Sequence, residues 1–195
     1  RHNQLDQVLE IISKENFNFV EVAPLELYDS WANLNVKKSK SVLEKLREKN
    51  IRICSIQSIF YGTKLNLFEN YSECIAHMEV IQEICKEISC NYIVFGAPKV
   101  RNRPQNLTNS EALEILDNFL FQFKDIKIGI EAVPEHYGTN VLNNYVQVND
   151  FVQKSNNDNL KIHFDVGAAN STNFSISDTF RKDLVSNVHL SLKGL

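Results

Sequence analysis

Two hydrophobic patterns alternate along the chain. Leu5, Val8, Leu9 and Ile12 fall on one face of a helix over residues 4–15, and the apolar run that follows has the length and composition of a strand. The alternation repeats, and it predicts further helices over 39–49, 71–89, 108–123, 144–155 and 176–185 and strands over 17–22, 51–57, 92–96, 126–131, 160–165 and 187–191. Six strands separated by helices demand a parallel sheet with right-handed crossovers.

Two of the predicted helices carry a capping signal at their start. Asn70 stands three residues before Glu73, and Thr108 stands three residues before Glu111. In a capping box the first side chain accepts a hydrogen bond from the backbone of the later residue, and the acidic side chain accepts one from the backbone of the first. Both pairs therefore predict the residue at which a helix begins.

The order of the elements favours a barrel over an open sheet. It begins on a helix and stops on a strand, so we interpret residues 1–195 as a single α/β domain that covers most of a (β/α)8 TIM barrel. In this interpretation the first strand and the last strand-helix unit are absent from the chain. An open, doubly wound sheet of six strands is the alternative.

Composition and charge narrow the classes of partner. The net charge is −3 and there is no block of Lys and Arg, which argues against nucleic acid as a partner and favours a small ligand. No apolar stretch approaches the ~20 residues that span a bilayer, and no signal pattern opens the sequence. We therefore expect a cytoplasmic protein that does not associate with membranes. A homo-oligomer is compatible with this pattern.

The cysteines are interpreted as buried, reduced thiols. Cys54, Cys74, Cys85 and Cys90 include no Cys-x-x-Cys pair of the kind that binds zinc. Cys74 and Cys85 are eleven residues apart, which is three helical turns, so they should share one helix face with Met78 and Ile81.

Three potential metal ligands stand at the ends of three successive predicted strands. Glu131, Asp165 and His189 each close a short apolar run, and the carboxyl ends of neighbouring parallel strands meet at one edge of a sheet. Because side chains alternate along a strand, His163 shares the face of Asp165. Buried carboxylates and imidazoles need a partner that offsets their desolvation, and a divalent cation is one such partner.

Each of these residues also has an ordinary structural interpretation. A strand-terminal Asp is often a helix N-cap, and a single strand His is often a hydrogen-bonded core residue. Their recurrence at three consecutive strand ends favours the metal site. Two carboxylates and an imidazole suit Mn²⁺, Mg²⁺, Co²⁺ or Zn²⁺, with Mn²⁺ preferred because oxygen ligands dominate.

An ordered series of short segments resembles a known family. The segments are Phe19–Pro24, Ser55–Ser58, Phe95–Pro98, Ile130–Gly138, His163–Gly167 and Val188–Ser191. In this order they are similar to the sugar phosphate isomerase/epimerase family, the xylose-isomerase-like barrel group that also contains the endonuclease IV type enzymes. The resemblance covers nearly the whole chain.

The resemblance implies a metal-dependent isomerase or epimerase of a sugar or sugar phosphate. It places Glu131, Asp165 and His189 as three ligands of one divalent metal, with a second Glu on a last strand that this chain does not reach. In the family two glutamates move the proton through a cis-enediolate, so Glu131 would serve as both ligand and base. Ala168, Asn187 and Leu192 depart from the residues that relatives often have.

Five further residues are candidate contacts to a small carbohydrate. They are Glu21, Gln57, His136, Tyr137 and His163. Segment 101–106 is predicted to be a mobile loop in which Arg101 and Arg103 are solvated charges, with a phosphate contact as the alternative. The departures from the family pattern leave two other functions open. One is a barrel that has lost catalysis and binds a sugar or a partner protein, and the other is an endonuclease IV-like phosphodiester hydrolase.

Overall fold

A six-stranded parallel sheet forms the centre of the fold. The computed structural model describes residues 2–34, 36–175 and 180–189. The strands are β1 (Phe19–Val22), β2 (Arg52–Ile56), β3 (Tyr92–Phe95), β4 (Lys127–Glu131), β5 (Leu160–Asp165) and β6 (Val185–His189). They pair in sequence order, each parallel to the next, so the sheet confirms the prediction of an incomplete α/β barrel.

Helices precede or connect these strands. They are α1 (His2–Lys14), α2 (Pro24–Leu27), α3 (Val36–Glu48), α4 (Tyr71–Glu87), α5 (Asn109–Leu120), α6 (Tyr145–Lys154) and α7 (Val166–Ser171), with short 3-10 turns at Glu135–Tyr137 and Lys182–Leu184. Within the described ranges, no helix is both long enough and apolar enough to cross a membrane.

The main core lies between the sheet and the helices. Alternate strand residues such as Ile93, Phe95 and Ile130 are fully buried, and they pack with apolar residues of the helices, including Phe119. The other set of alternate residues faces the concave side of the sheet, which we call the lumen. Because side chains alternate along a strand, each strand has one apolar face toward the helices and one face toward the lumen, where reactive side chains can stand.

The four cysteines divide into three buried thiols and one exposed thiol. Cys74 and Cys85 are buried on α4, together with Met78 and Ile81, as the helical spacing predicted. Cys90 is also buried, whereas Cys54 is exposed, so the prediction of a buried thiol was wrong at that position. Burial raises the pKa of Cys74 to about 11 and that of Cys85 to about 12.

One of the two capping predictions is confirmed. Thr108 and Glu111 form a complete capping box at the start of α5. Asn70 stands at the start of α4, but its side chain makes no capping bond to that helix. Its amide oxygen instead accepts a hydrogen bond from the backbone of Asn66 at 3.2 Å, since an Asn side chain can bond to the backbone of a neighbouring turn in place of the helix.

A helix was predicted over 176–185. Residues 176–179 lie outside the part of the chain that the structure describes, and for the described residues 180–185 the prediction was wrong. A short helix, α7, begins directly after Asp165 instead, and β6 already starts at Val185. Phe180 is buried against Phe164 and Phe174, with ring centroids 5.8 and 5.3 Å away. Its apolar character thus reflects an aromatic cluster around a loop, not the inner face of a helix.

Candidate active site

Neighbouring strands bring the polar residues of the predicted site side by side. Glu131 on β4 is in register with His163 on β5, and Asp165 on β5 is in register with His189 on β6. Since the strands are parallel, all four residues lie at or near the carboxyl edge of the sheet. This is the edge at which α/β barrels place their chemistry.

Asp165 is a helix N-cap, which is one of the two roles that the sequence left open, and it also lies beside His189. Its Oδ1 accepts a hydrogen bond of 2.9 Å from the backbone of Ala168 and caps α7. Its Oδ2 lies 3.7 Å from Nδ1 of His189. The Asp165 side chain is 6% exposed and that of His189 is 41% exposed. The cap fixes the direction of the carboxylate, which leaves the second oxygen beside the imidazole.

Glu131 is held between a glycine and a buried arginine. A Cβ added to Gly96 would overlap Oε2 of Glu131, so the carboxylate occupies space that only glycine leaves open at the end of β3. Nη2 of Arg101 donates a hydrogen bond of 2.8 Å to the backbone oxygen of Glu131. These two contacts position both the backbone and the side chain of the predicted base.

Arg101 is not a solvated loop charge, and that interpretation was wrong. The residue is 0% exposed, and its burial lowers its pKa to about 10 despite attraction to Glu131. A guanidinium with this pKa is still charged at neutral pH. Attraction between opposite charges is mutual, so Arg101 favours the ionised carboxylate of Glu131.

Tyr145 of α6 anchors the part of β5 that carries His163 and Asp165. Its hydroxyl donates a hydrogen bond of 3.0 Å to the backbone oxygen of His163 and accepts one from the backbone N–H of Asp165. Tyr145 is 0% exposed, and its ring packs against Phe164 at a centroid distance of 4.5 Å. One side chain therefore ties two site residues to a helix outside the sheet.

Tyr145→Phe is expected to lower the free energy of unfolding by about 1–3 kcal/mol. The substitution keeps the ring but removes the partner of a buried backbone acceptor and a buried backbone donor, and such groups are costly to leave without a bond. Urea denaturation of the two proteins measures the difference. Tyr61→Phe is the matched control, since Tyr61 is an exposed tyrosine. An equal effect in both variants would contradict the anchoring role.

A cleft of about 870 Å³ opens above the strand ends. The predicted ligands Glu131, Asp165 and His189 line it, and so do three of the predicted substrate contacts, Gln57, His136 and Tyr137. Its volume is in the range of small-ligand sites. Glu21 and His163 are not among the lining residues, which places them deeper in the lumen.

Glu21, His163 and His189 form a second arrangement that the sequence did not group. One ligand atom from each lies within 4.8 Å of the other two. Burial raises the pKa of Glu21 and lowers that of His163 to about 4, so His163 is a neutral imidazole at pH 7. Among the described residues, these are the three potential ligands whose atoms lie this close together. The Glu131 carboxylate instead turns toward Gly96.

Sequence reasoning missed four residues that support the site. They are Ser55, Tyr92, Arg101 and Tyr145. Ser55 donates a hydrogen bond to Oε2 of Glu21, and Ser186 donates one of 2.8 Å to the hydroxyl of Tyr92. Tyr92 and Gly96 share a face of β3 by simple alternation, so strand periodicity contained a signal for Tyr92. The other three depend on contacts between elements distant in sequence.

The family of the chain agrees with its fold and with the polar residues at its strand ends. The profile of the xylose isomerase-like TIM barrel family matches residues 9–192, and the chain belongs to that family. Its structural neighbours include epimerases, a probable dehydratase and an AP endonuclease-like protein. No curated protein sequence matches the chain.

Three solved structures illustrate the range of these neighbours. The AP endonuclease, family 2, from Brucella melitensis has a TM-score of 0.70 at 11% identity, covering 94% of this chain and 72% of that one. D-psicose 3-epimerase from Clostridium cellulolyticum H10, solved with D-tagatose, has a TM-score of 0.69 at 15% identity, covering 94% and 66%. The IolI protein with a bound zinc atom has a TM-score of 0.64 at 15% identity, covering 88% and 60%.

These identities show a shared fold and no more. The chain spans 60–72% of the length of the three proteins.

Proposed function

We propose that the protein is a divalent-metal-dependent sugar isomerase that moves a proton between neighbouring carbons of a small carbohydrate. The observation that carries this proposal is the convergence of Glu131, Asp165 and His189 on one cleft at the carboxyl edge of the sheet. The sugars named for two neighbours, D-tagatose and D-fructose, support a carbohydrate as the substrate class.

Two of the three predicted ligands, Asp165 and His189, stand close to the spacing that a divalent cation requires. Metal–ligand distances of about 2.0–2.2 Å hold adjacent ligand atoms about 3–3.5 Å apart. Oδ2 of Asp165 and Nδ1 of His189 are 3.7 Å apart, so a movement of a few tenths of an ångström brings them to that spacing. Glu131 would supply a further oxygen after its carboxylate turns from Gly96 toward these two residues. A cation bound there would polarise the carbonyl of the substrate and offset the charge that develops on its oxygens.

The residues of the chain supply the rest of the chemistry. Glu131 takes the proton from the carbon next to the carbonyl, which requires an ionised carboxylate within hydrogen-bond reach of that carbon. Buried Arg101 favours that ionised form. Gln57, His136 and Tyr137 line the same cleft and are placed to orient the hydroxyl groups of a sugar.

The cleft holds a base suited to isomerisation. Of the described residues that line it, Glu131 and Asp165 carry carboxylates, and Asp165 also caps α7. A single base can move a proton from one carbon to its neighbour on the same face of a cis-enediol, so Glu131 alone would serve an aldose–ketose isomerisation. Inverting one carbon needs a proton donor on the opposite face as well, and the product of the reaction distinguishes the two.

Deuterium exchange tests this function directly. The protein, loaded with Mn²⁺, is incubated in D₂O with D-fructose, D-psicose or D-tagatose, and carbon-bound deuterium and new sugars are followed by NMR. The expected result is an aldose product that carries deuterium on the carbon next to the carbonyl. Formation of an epimeric ketose without any aldose would contradict isomerisation. A bound sugar that gains no deuterium would favour a non-catalytic sugar-binding barrel.

A further inference from the structure

A second cluster of potential metal ligands lies in the lumen, beneath the cleft. It is formed by Glu21, His163 and His189, whose ligand atoms lie within 4.8 Å of one another. Neither Glu21 nor His163 lines the cleft, whereas His189 reaches both. This arrangement needs neither Glu131 nor Asp165, and it shares only His189 with the proposed metal centre.

His163 is the strongest sign that a ligand belongs here. The residue is 1% exposed, and neither ring nitrogen has a hydrogen-bond partner among the described residues. Buried polar side chains nearly always have a partner, because an imidazole removed from water without one costs free energy. A nitrogen lone pair that is buried, unpartnered and close to a carboxylate is suited to a cation.

Neighbouring residues hold Glu21 and His163 in place. Tyr145 fixes the backbone of His163, and the ring centroid of Tyr92 lies 6.3 Å from that of the imidazole. Glu21 accepts the hydrogen bond from Ser55 on the adjacent strand. These two ligands are thus oriented by neighbours that are not themselves ligands, as is usual around metal sites.

Two of the three ligands come from opposite edges of the sheet. Glu21 belongs to β1 and His189 to β6, the first and last strands in the order of the described sheet, and His163 belongs to β5. A cation held by all three would join the two edges through the lumen. Ligand atoms of one cation stand about 3–3.5 Å apart, so binding would draw this set closer together.

We infer that Glu21, His163 and His189 bind a borderline divalent cation, Zn²⁺ or Co²⁺, that links the edges of the sheet. Two imidazole nitrogens and one carboxylate oxygen are the donors that these metals prefer, whereas Mg²⁺ prefers oxygen donors alone. The role assigned to this cation is to stabilise the fold.

Cobalt titration of the whole protein, stripped of metal with a chelator, tests the site. Bound Co²⁺ is counted by equilibrium dialysis, its coordination is followed by visible absorption, and Tm is measured in parallel. Binding at 100 times Kd should raise Tm by about 5–10 °C. Glu131→Gln should keep this cobalt equivalent and the rise in Tm. Glu21→Gln and His163→Gln should weaken its binding at least about tenfold, because removing even a residue that only orients a metal ligand costs about 10- to 100-fold.

Matched variants separate this inference from the proposed function. Glu79→Gln, on the exposed side of α4, controls for the loss of one carboxylate, and circular dichroism verifies that each variant is folded. If cobalt binding survives in Glu21→Gln and His163→Gln but is lost in Glu131→Gln, the lumen site is overturned and the proposed metal centre stands. If Glu131→Gln changes neither binding nor activity while the other two lose cobalt, the lumen site stands and the proposed function falls.

Two further outcomes also decide the question. Loss of a single cobalt equivalent in all three variants would mean that one cation is shared by both sets of ligands, and it would overturn a separate lumen site. Absence of binding by either Co²⁺ or Zn²⁺ to the unaltered protein would overturn it as well.

Discussion

Glu131→Gln is expected to lower the rate of deuterium exchange into the sugar at least about 100-fold, the range that a general base contributes. Glutamine has the shape of glutamate and keeps one oxygen that can face a metal, but it cannot accept the proton. The loss should therefore appear in kcat more than in KM. Single-turnover exchange measured by NMR, with the metal content determined on the same sample, separates a lost base from a lost ligand.

The comparison with Asp165→Asn sharpens this result. Asp165 is assigned to the metal and to the cap of α7, so its substitution should reduce metal content together with exchange. Exchange that continues at the normal rate in Glu131→Gln with metal bound would contradict the assignment of Glu131 as the base.

Gly96→Ala is expected to reduce activity about 10- to 100-fold while changing the free energy of unfolding by less than about 1 kcal/mol. The new Cβ would overlap Oε2 of Glu131, which is the end of a flexible side chain and can rotate away. The other neighbour, Cγ2 of Val133, lies at an ordinary 3.6 Å. Displacing a catalytic group by about 1 Å can cost 100-fold in rate. Steady-state kinetics and urea denaturation measure the two effects.

Gly129→Ala should instead affect the free energy of unfolding more than the activity. A Cβ there would overlap the hydroxyl of Tyr92 and stand 2.9 Å from Cβ of His163, and both residues are buried in the lumen. Tyr92 is also bonded to Ser186, so the ring has no easy way to move. We expect destabilisation of about 1–3 kcal/mol from overpacking. Similar profiles for the two alanine variants would contradict the view that Gly96 makes room for the Glu131 carboxylate alone.

Local signals predicted most of the fold. The period of the apolar residues located all six strands, and the Thr108–Glu111 pair located the start of α5, because a capping box is made by residues three apart. The crossover after β5 was misread as a helix over 176–185. In the described part of that range Phe180 packs in an aromatic cluster and Val185 begins a strand. That distinction depends on tertiary packing, which periodicity does not encode.

The sequence predicted where the candidate site residues lie, but it did not predict their contacts. Strand ends placed Glu131, Asp165 and His189 at one edge, since that follows from parallel topology alone. The direction of the Glu131 carboxylate depends on the empty space at Gly96, and the meeting of Glu21 with His163 depends on how strongly the sheet curves. Burial of Arg101 depends on contact with β4, thirty residues further along the chain. None of these follows from a local pattern.

One of the four thiols is exposed, so a thiol-reactive dye should label the protein at a single cysteine. Cys54 is accessible, while Cys74, Cys85 and Cys90 are buried and burial raises their pKa values, which suppresses the reactive thiolate. A maleimide dye at neutral pH should therefore attach at Cys54. The dye would stand one residue from Ser55, the hydrogen-bond donor to Glu21. Its fluorescence offers an optical reporter of this part of β2 without any engineered cysteine.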